Sequence, residues 1–182
     1  MASIWSNDLI DEFDSYIPIY KIGSGDLTAY SVIKKIVSKN KPIILSTGIS
    51  TFSEVNNSVN YIKTLNNSFY NNSNNLAILQ CTSMYPIQYE DANINVIKSL
   101  KKINNVTVGY SDHTTDNRAL IYSYILGAEI LEFHFTDTKK GKVFRDHKVS
   151  LTKKDVSSLI NEIKIIKRIK GSHEKKPENC EI

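Results

Sequence analysis

The sequence predicts an α/β fold in which parallel strands alternate with helices, as in a (β/α)8 TIM barrel, but with only about five to six of the eight units. Five short apolar runs each end in small, polar or titratable residues, and each is followed by a segment with helical periodicity. The 182 residues suffice for one core but fall short of the roughly 250 residues of a complete barrel. The five runs with their endings are 20–26, 42–48, 76–83, 106–114 and 128–137.

The N-terminal part of the chain predicts a partial unit followed by a complete one. Apolar residues at helical spacing after the first few positions indicate a short helix, and Asn40 with Pro42 would end the next helix along the chain. The elements expected here are, in order, the end of a strand at 2–6, a helix at 8–16, a strand at 19–22 and a helix at 29–37.

The second unit carries the clearest local signal. After a strand over 43–45, Thr51 and Glu54 have the spacing of a capping box, which starts a helix that we expect to reach about Leu65. The next ten residues, 66–75, are almost all Asn and Ser, and this composition predicts a surface loop.

The remaining units follow the same plan. The run over 106–114 begins as a β-branched strand suited to burial on both faces and then turns into titratable groups. The run over 128–137 also carries a histidine where an apolar strand ends. Gly127 ends the helix between them. The other elements expected are a strand at 76–80 with a long exit loop, helices at about 94–102 and 116–126, a loop at 138–149, a final helix from Thr152 to about Ile169, and a linker-like tail at 171–182 after a single domain at 1–170.

Composition and charge narrow the classes of function. The net charge of +4 comes from Lys residues spread over helical segments, which disfavours nucleic-acid binding and favours an anionic small molecule as ligand. Cys81 and Cys180 have neither a metal-ligand spacing nor a disulfide framework, as expected in a reducing cytoplasm. We expect no membrane association, because no signal-peptide pattern is present and no apolar run reaches the roughly 18 residues of a membrane span.

Titratable residues at the strand endings are the candidates for chemistry. Parallel strands of a barrel point their carboxyl ends at one face, so His113 and His134 are expected side by side. Such a pair favours a metal site, whereas a single His at a strand end is more often a hydrogen-bonded structural residue. Lys21 favours an anionic ligand if it faces the barrel.

Other residues at the endings have two interpretations each. Ser46 and Ser111 either cap the helices that follow or contact a ligand. Tyr85 with Pro86 forms either a rigid turn or part of the site. His147 is expected to be structural or solvated.

The five strand endings read Lys21-Ile22-Gly23-Ser24-Gly25-Asp26, Leu45-Ser46-Thr47-Gly48, Cys81-Thr82-Ser83-Met84-Tyr85-Pro86, Tyr110-Ser111-Asp112-His113-Thr114 and Glu132-Phe133-His134-Phe135-Thr136. Taken together, they resemble those of the sialic acid synthase (N-acetylneuraminate synthase) family over nearly the whole chain. The resemblance implies a partial TIM barrel made of about the last five to six units. The family's first three strands would be absent apart from a remnant at 2–5, and 171–177 is similar to the connector into a C-terminal antifreeze-like domain.

The resemblance implies an enzyme that condenses phosphoenolpyruvate with an N-acetylated amino sugar, such as N-acetylmannosamine, to a nonulosonic acid and releases phosphate. A divalent metal, Mn²⁺ or Mg²⁺, would be the cofactor, with His113 and His134 as its ligands. By matching positions, Lys21, Ser24, Ser46, Ser83 and Ser111 hold phosphoenolpyruvate, while Asp26, Tyr85 and Asp146 face the sugar and the reacting carbons. Asp26 or Glu132 would move protons or activate the water that attacks C2.

Some positions depart from the family's usual pattern. Phe133 stands where a Lys or Arg is usual, and Phe144 with Arg145 precede Asp146 where Gly-Pro is usual. Position 26 is Asp where some members have Glu, and Ser83 stands where some have Asn. The first two departures concern the sugar end of the site.

Two other functions fit the same residues. One is a catalytically inactive remnant or subunit with an assembly or regulatory role, and the other is a different metal-dependent barrel aldolase, which would release no phosphate. An unclosed barrel leaves two strand edges unpaired, so we expect association with a second copy of the chain or with a complementing fragment. We also expect little turnover by the chain alone.

Overall fold

The structure, a computed structural model, describes residues 1–181 and contains a five-stranded parallel sheet. The strands lie side by side in chain order, and each is hydrogen-bonded in register to the next. The sheet is curled into a half-barrel, as the alternating pattern of strands and helices predicts. The strands are β1 (Tyr20–Ile22), β2 (Ile43–Ser46), β3 (Leu76–Cys81), β4 (Thr107–Asp112) and β5 (Ile130–Phe133).

Helices connect successive strands and cover the convex face of the sheet. Capping boxes begin two of them, at Thr51 with Glu54 as predicted and at Thr152 with Asp155. Short 3-10 turns occupy Asp14–Tyr16, Ser24–Asp26 and Tyr89–Ala92. The helices are α1 (Asn7–Phe13), α2 (Tyr30–Val37), α3 (Phe52–Leu65), α4 (Asn67–Tyr70), α5 (Val96–Leu100), α6 (Arg118–Ile125), α7 (Asp146–Val149) and α8 (Lys153–Lys170).

The sheet extends by a single residue beyond β1 and beyond the end of β5. Ala2 forms a parallel bridge with Tyr20, and its carbonyl accepts the backbone N–H of Lys21 at 2.9 Å. At the other side, Phe135 bridges Leu151 in the same parallel sense. The strand end predicted at 2–6 is therefore reduced to one bridge at Ala2.

The core lies between the sheet and its helices. Every residue of β3 is buried, as expected for the central strand of the sheet, which has two strands on each side. The prediction of a plain surface loop over 66–75 is wrong, because this segment contains α4 and Tyr70 is fully buried. The Tyr70 hydroxyl donates to the carbonyl of Lys41 at 2.8 Å, so a polar-looking segment still supplies an aromatic anchor to the core.

An apolar surface flanks β1 on the side away from β2. Trp5 and Tyr16 are 76% and 80% exposed, and Leu9 and Phe13 are about half-exposed beside them. These side chains, with Ile4, line an open cavity of about 620 Å³. We call the group of Ile4, Trp5, Leu9, Phe13 and Tyr16 the N-terminal apolar surface. Five adjoining apolar side chains form a larger patch than the single apolar side chains that are normal on a protein surface.

Two further features concern the helices and the tail. Across residues 1–181, none of the helices combines the length and the hydropathy needed to cross a bilayer. After α8, residues 171–178 form no helix or strand and are exposed.

Candidate functional site

A cavity of about 110 Å³ lies at the carboxyl ends of the strands, and residues from all five strand exits line it. We call it the central cavity. Its lining contains eight of the eleven site residues predicted from the sequence, and only Asp26, Ser83 and Asp146 lie outside it. The lining residues are Lys21, Gly23, Ser24, Ser46, Cys81, Tyr85, Ser111, His113, Glu132 and His134.

Strand register brings these residues together. Cys81 is the register partner of Ser111, and Ser111 is the register partner of Glu132, so three neighbouring strands present side chains at one level. In a parallel sheet, register partners on the same pleat point to the same face. Residues distant in the sequence therefore form one layer of the cavity wall.

Lys21 lies at the centre of a polar network in this wall. Its ammonium donates to Ser46 Oγ at 2.7 Å and to the carbonyl of Ile22 at 3.2 Å, and it lies 3.6 Å from Glu132 Oε1. Ser111 Oγ donates to the same Glu132 oxygen at 2.8 Å. The Lys21 side chain is only 11% exposed. A buried cation beside hydroxyl groups is an arrangement suited to binding an anion.

Two further serines lie against Gly48 at the exit of β2. Ser24 Oγ accepts the backbone N–H of Gly48 at 3.0 Å. Ser83 does not line the central cavity, but its Oγ, like that of Ser24, lies close to the position that a β-carbon on Gly48 would occupy. Both hydroxyls are therefore held next to the β2 exit, beside the Lys21 network.

The two histidines lie next to each other, as the sequence predicts. Their ring centroids are 5.3 Å apart, and the Tyr85 ring contacts both, at 4.0 Å from His113 and 5.4 Å from His134. His113 Nδ1 lies 2.7 Å from the carbonyl oxygen of Thr82. A carbonyl only accepts hydrogen bonds, so Nδ1 carries the proton and Nε2 keeps a free lone pair.

Burial reinforces this state of His113. It lowers the pKa of the imidazole below its ordinary value of 6.5, although the hydrogen bond to Thr82 acts in the opposite direction. The neutral, Nδ1-protonated ring is the form that ligates a metal through Nε2. On the other ring, His134 Nδ1 lies 3.8 Å from Asp146 Oδ2, close enough for electrostatic orientation but beyond hydrogen-bond length.

The donor set fits a divalent metal with two protein ligands. Oxygen partners beside both Nδ1 atoms are the outer contacts that metal-ligating histidines usually have. Among residues 1–181, no group of three or more His, Cys, Asp or Glu side chains is arranged to hold a metal ion. Water or substrate oxygens would thus have to complete the coordination of a metal bound to His113 and His134.

The predicted acids at the sugar end lie on the rim. Asp26 ends the 3-10 turn that follows β1 and is half-buried without lining the central cavity. Asp146 begins α7 beside His134, and Arg145 Nε lies 3.6 Å from Asp146 Oδ1. The Arg145 guanidinium also lies 5.0 Å from the centre of the Tyr85 ring. Arg145 is therefore a cation at this rim that sequence reasoning did not assign to the site.

Sequence reasoning also missed Asp112 and the position of Cys81 in the cavity wall. Asp112 is buried and accepts hydrogen bonds from the Tyr110 hydroxyl and from both the backbone N–H and the hydroxyl of Thr114. These bonds fix the turn that carries His113. An Asp two residues before a Thr is the sequence signal of such an Asx turn. Burial raises the pKa of the Cys81 thiol, which favours its protonated form.

Comparisons with known proteins show which family the chain belongs to. The NeuB family profile matches residues 1–175. The chain is 35% identical to N,N'-diacetyllegionaminic acid synthase of Campylobacter jejuni, over 97% of this chain and 51% of that protein. It is 33% identical to N-acetylneuraminate-9-phosphate synthase of Mus musculus, over 91% of this chain and 44% of that protein. The chain thus spans about half the length of the curated relatives it matches.

The fold is also that of solved relatives. The crystal structure of N-acetylneuraminic acid synthetase from Leptospira borgpetersenii superposes with a TM-score of 0.88 and 26% identity, covering 99% of this chain and 61% of that one. This match agrees with a partial TIM barrel. Other relatives include a pseudaminic acid synthase of Helicobacter pylori, 34% identical over 74% of this chain and 38% of that protein. Because the family profile covers nearly the whole sequence and the fold agrees, the chain belongs to the NeuB family.

Proposed function

We propose that the chain acts in the synthesis of a nonulosonic acid, by condensing phosphoenolpyruvate with an N-acetylated amino sugar such as N-acetylmannosamine and releasing phosphate. The observation that carries the proposal is the central cavity, where a buried cation among hydroxyls adjoins a pair of imidazoles. The names of the relatives support the product class. A cytoplasmic setting fits the free thiol of Cys81.

Phosphoenolpyruvate would bind at the Lys21 end. Lys21 supplies the positive charge, and the hydroxyls of Ser24, Ser46, Ser83 and Ser111 supply donors around it. An anion that enters here would take over the Lys21 proton now shared with Ser46, and would lie beside Glu132. Hydrogen bonds to charged groups contribute about 1.5–3 kcal/mol each, so Lys21 should dominate the affinity of this end.

The amino sugar would bind at the imidazole end. His113 and His134 would hold Mn²⁺ or Mg²⁺, and a divalent ion bound there acts as a Lewis acid toward the sugar aldehyde. Tyr85 packs on both rings, and Asp146 lies beside His134, where its charge would orient the imidazole. Asp26, Tyr85 and Asp146 would face the sugar and set its position for attack by the enol carbon.

Proton movement would fall to Glu132. Its carboxylate accepts the Ser111 hydroxyl and lies beside Lys21, so it is fixed between the two ends of the cavity. As a general base it would take a proton from the water that adds to C2 of the phosphoenolpyruvate skeleton, and phosphate would leave from the same carbon. Asp26 on the rim is the second acid available for this role.

We propose that the active form is an assembly. The N-terminal apolar surface, with Trp5 and Tyr16 exposed, is the place where a second copy of the chain or a complementing fragment would pack against β1. Burying it would remove apolar side chains from water and cover the edge that Ala2 pairs only in part. The same observation favours a second candidate function, a catalytically inactive subunit that binds ligands within a larger synthase.

A phosphate-release assay with phosphoenolpyruvate, N-acetylmannosamine and Mn²⁺ tests the proposal. We expect release by the chain in its assembled form and none when the sugar is omitted. Binding of phosphoenolpyruvate and Mn²⁺ without release in any assembly would identify the inactive subunit. Absence of both binding events would refute the synthase site, and a condensation product formed without phosphate would indicate a different aldolase.

A further inference from the structure

Gly48, at the exit of β2, stands where no left-handed backbone requires a glycine. Its φ angle lies outside the left-handed region, whereas the next residue, Ile49, has a φ of 60°. A β-branched residue is strained in that conformation. The strained position in this turn is therefore Ile49, and the glycine stands one residue earlier, where the backbone does not require it. Backbone conformation does not explain the glycine at position 48.

Space explains the glycine at position 48. A β-carbon built on Gly48 would lie 2.2 Å from Ser83 Oγ, 3.2 Å from Ser83 Cβ and 2.9 Å from Ser24 Oγ. The two distances to oxygen are shorter than any ordinary non-bonded contact. A side chain at position 48 would therefore displace two hydroxyls that come from the exits of β1 and β3.

The hydrogen bond from Gly48 gives one of these hydroxyls a direction. Ser24 Oγ accepts the Gly48 N–H at 3.0 Å, and a hydroxyl that accepts on one side offers its own proton on another. Ser24 lines the central cavity beside Lys21. Its proton is thus available to an anion bound there, and the direction of this donor depends on the position of the Gly48 backbone.

We propose that Gly48 is a positioning residue for the anion end of the central cavity. The missing side chain lets the Ser24 and Ser83 hydroxyls close on the β2 exit, and it thereby sets the affinity for phosphoenolpyruvate. The inference rests on the proposed function, because it assumes that phosphoenolpyruvate occupies this end. It adds a residue whose role is to place donors and which does not touch the substrate with a side chain.

The experiment compares Gly48→Ala with Gly25→Ala. Gly25 is a matched control, since it lies in a neighbouring exit, has no left-handed φ, and a β-carbon built on it meets nothing within 4 Å. We expect Gly48→Ala to weaken phosphoenolpyruvate binding in calorimetry by ten- to hundredfold, and Gly25→Ala to change it less than twofold. Affinity for Mn²⁺, a readout that general misfolding would also lower, should stay within twofold of the wild type in both variants.

A Ser83→Gly background separates the two contacts and guards against a variant that fails to fold. It removes the atoms nearest to position 48 and leaves the Ser24 contact, so adding Gly48→Ala there should cost three- to fivefold in phosphoenolpyruvate affinity. Equal affinity with and without Gly48→Ala in this background would overturn the inference. So would wild-type affinity in the single variant. If the wild type itself binds Mn²⁺ but no phosphoenolpyruvate, the proposed substrate fails first, and the role of Gly48 fails with it.

Discussion

The contact between Lys21 and Glu132 predicts that substitutions of the two residues change the affinity for phosphoenolpyruvate in opposite directions. Replacing Lys21 by Met removes the cation but keeps most of the side-chain volume, and replacing Glu132 by Gln removes the opposing charge but keeps the shape. We expect phosphoenolpyruvate to bind more weakly to Lys21→Met and more tightly to Glu132→Gln. Loss of folding would weaken binding in both variants, so the opposite signs separate charge from damage to the structure.

The distance between Lys21 and Glu132 gives the expected size of the two changes in affinity. At 3.6 Å the two charges attract each other by about 4.6 kcal/mol at an effective dielectric constant of roughly 20, before the cost of removing them from water is subtracted. The carboxylate is 29% exposed, so the net value is a fraction of this figure. Losing one charge-assisted hydrogen bond to the ligand costs about 1.5–3 kcal/mol, or roughly 10- to 150-fold in Kd for Lys21→Met. Glu132→Gln should tighten binding by about two- to tenfold, because it removes the repulsion from a partly solvated carboxylate.

Calorimetry with phosphoenolpyruvate in the presence of Mn²⁺ provides the assay, and the thermal shift produced by the ligand provides an independent check. Lys98→Met is the control, since it removes the same charge from an exposed position on α5. It should leave the affinity within twofold of the wild type. The reasoning is refuted if Lys21→Met retains the full thermal shift, or if Glu132→Gln loses affinity as Lys21→Met does.

Three further predictions concern the metal, the dependence of stability on pH, and assembly. Replacing His113 or His134 by Ala should weaken Mn²⁺ binding more than tenfold in calorimetry, which corresponds to at least about 1.4 kcal/mol. The control variant His147→Ala should keep the affinity of the wild type. Wild-type affinity in the double variant of His113 and His134 would exclude the site. The Arg118 guanidinium donates to Asp116 and lowers the pKa of that carboxyl from 3.8 to about 2, so the pair stabilises the fold above pH 4 and this contribution is lost as the pH falls toward 2. Asp116→Asn should flatten this part of the profile in urea unfolding, and an unchanged slope would contradict the assignment. Light scattering should show the purified chain as an oligomer or aggregate, and Trp5→Ser with Tyr16→Ser should shift it toward monomer; a monomeric wild type would disprove this role of the N-terminal apolar surface.

The order of strands and helices was predictable because its signals are local. Apolar runs that end in polar residues mark buried parallel strands, and the spacing of Thr51 and Glu54 is sufficient to start α3. The helix expected at 94–102 is shorter, covering Val96–Leu100, because residues 94–95 and 101–102 form turns. The burial of Tyr70 could not be predicted, because a composition of Asn and Ser gives no indication that one ring reaches the core.

The candidate site was predictable as far as strand direction determines it. Residues at or just beyond strand ends, such as Lys21, Ser111 and His134, follow the parallel register into one cavity. Asp26 lies in a 3-10 turn, and Asp146 begins α7 within the segment 138–149 that was expected to be a loop. The path of such a segment depends on tertiary contacts that no short pattern encodes. For the same reason Arg145 could not be assigned to the site, since its position over Tyr85 depends on the course of the segment before α7.

Charge balance links the site to the proposed assembly. Phosphoenolpyruvate carries about three negative charges at neutral pH, two on the phosphate and one on the carboxylate. Among the described residues that line the central cavity, Lys21 is the one Lys or Arg, and Glu132 offsets it. Because the buried His113 imidazole stays neutral, it adds no charge of its own. A divalent metal on the imidazole pair would supply two positive charges, and cations from a second copy or a complementing fragment at the open edge of the sheet would supply the rest. Metal, substrate and assembly should therefore stabilise one another, since each contributes charge or enclosure that the others need.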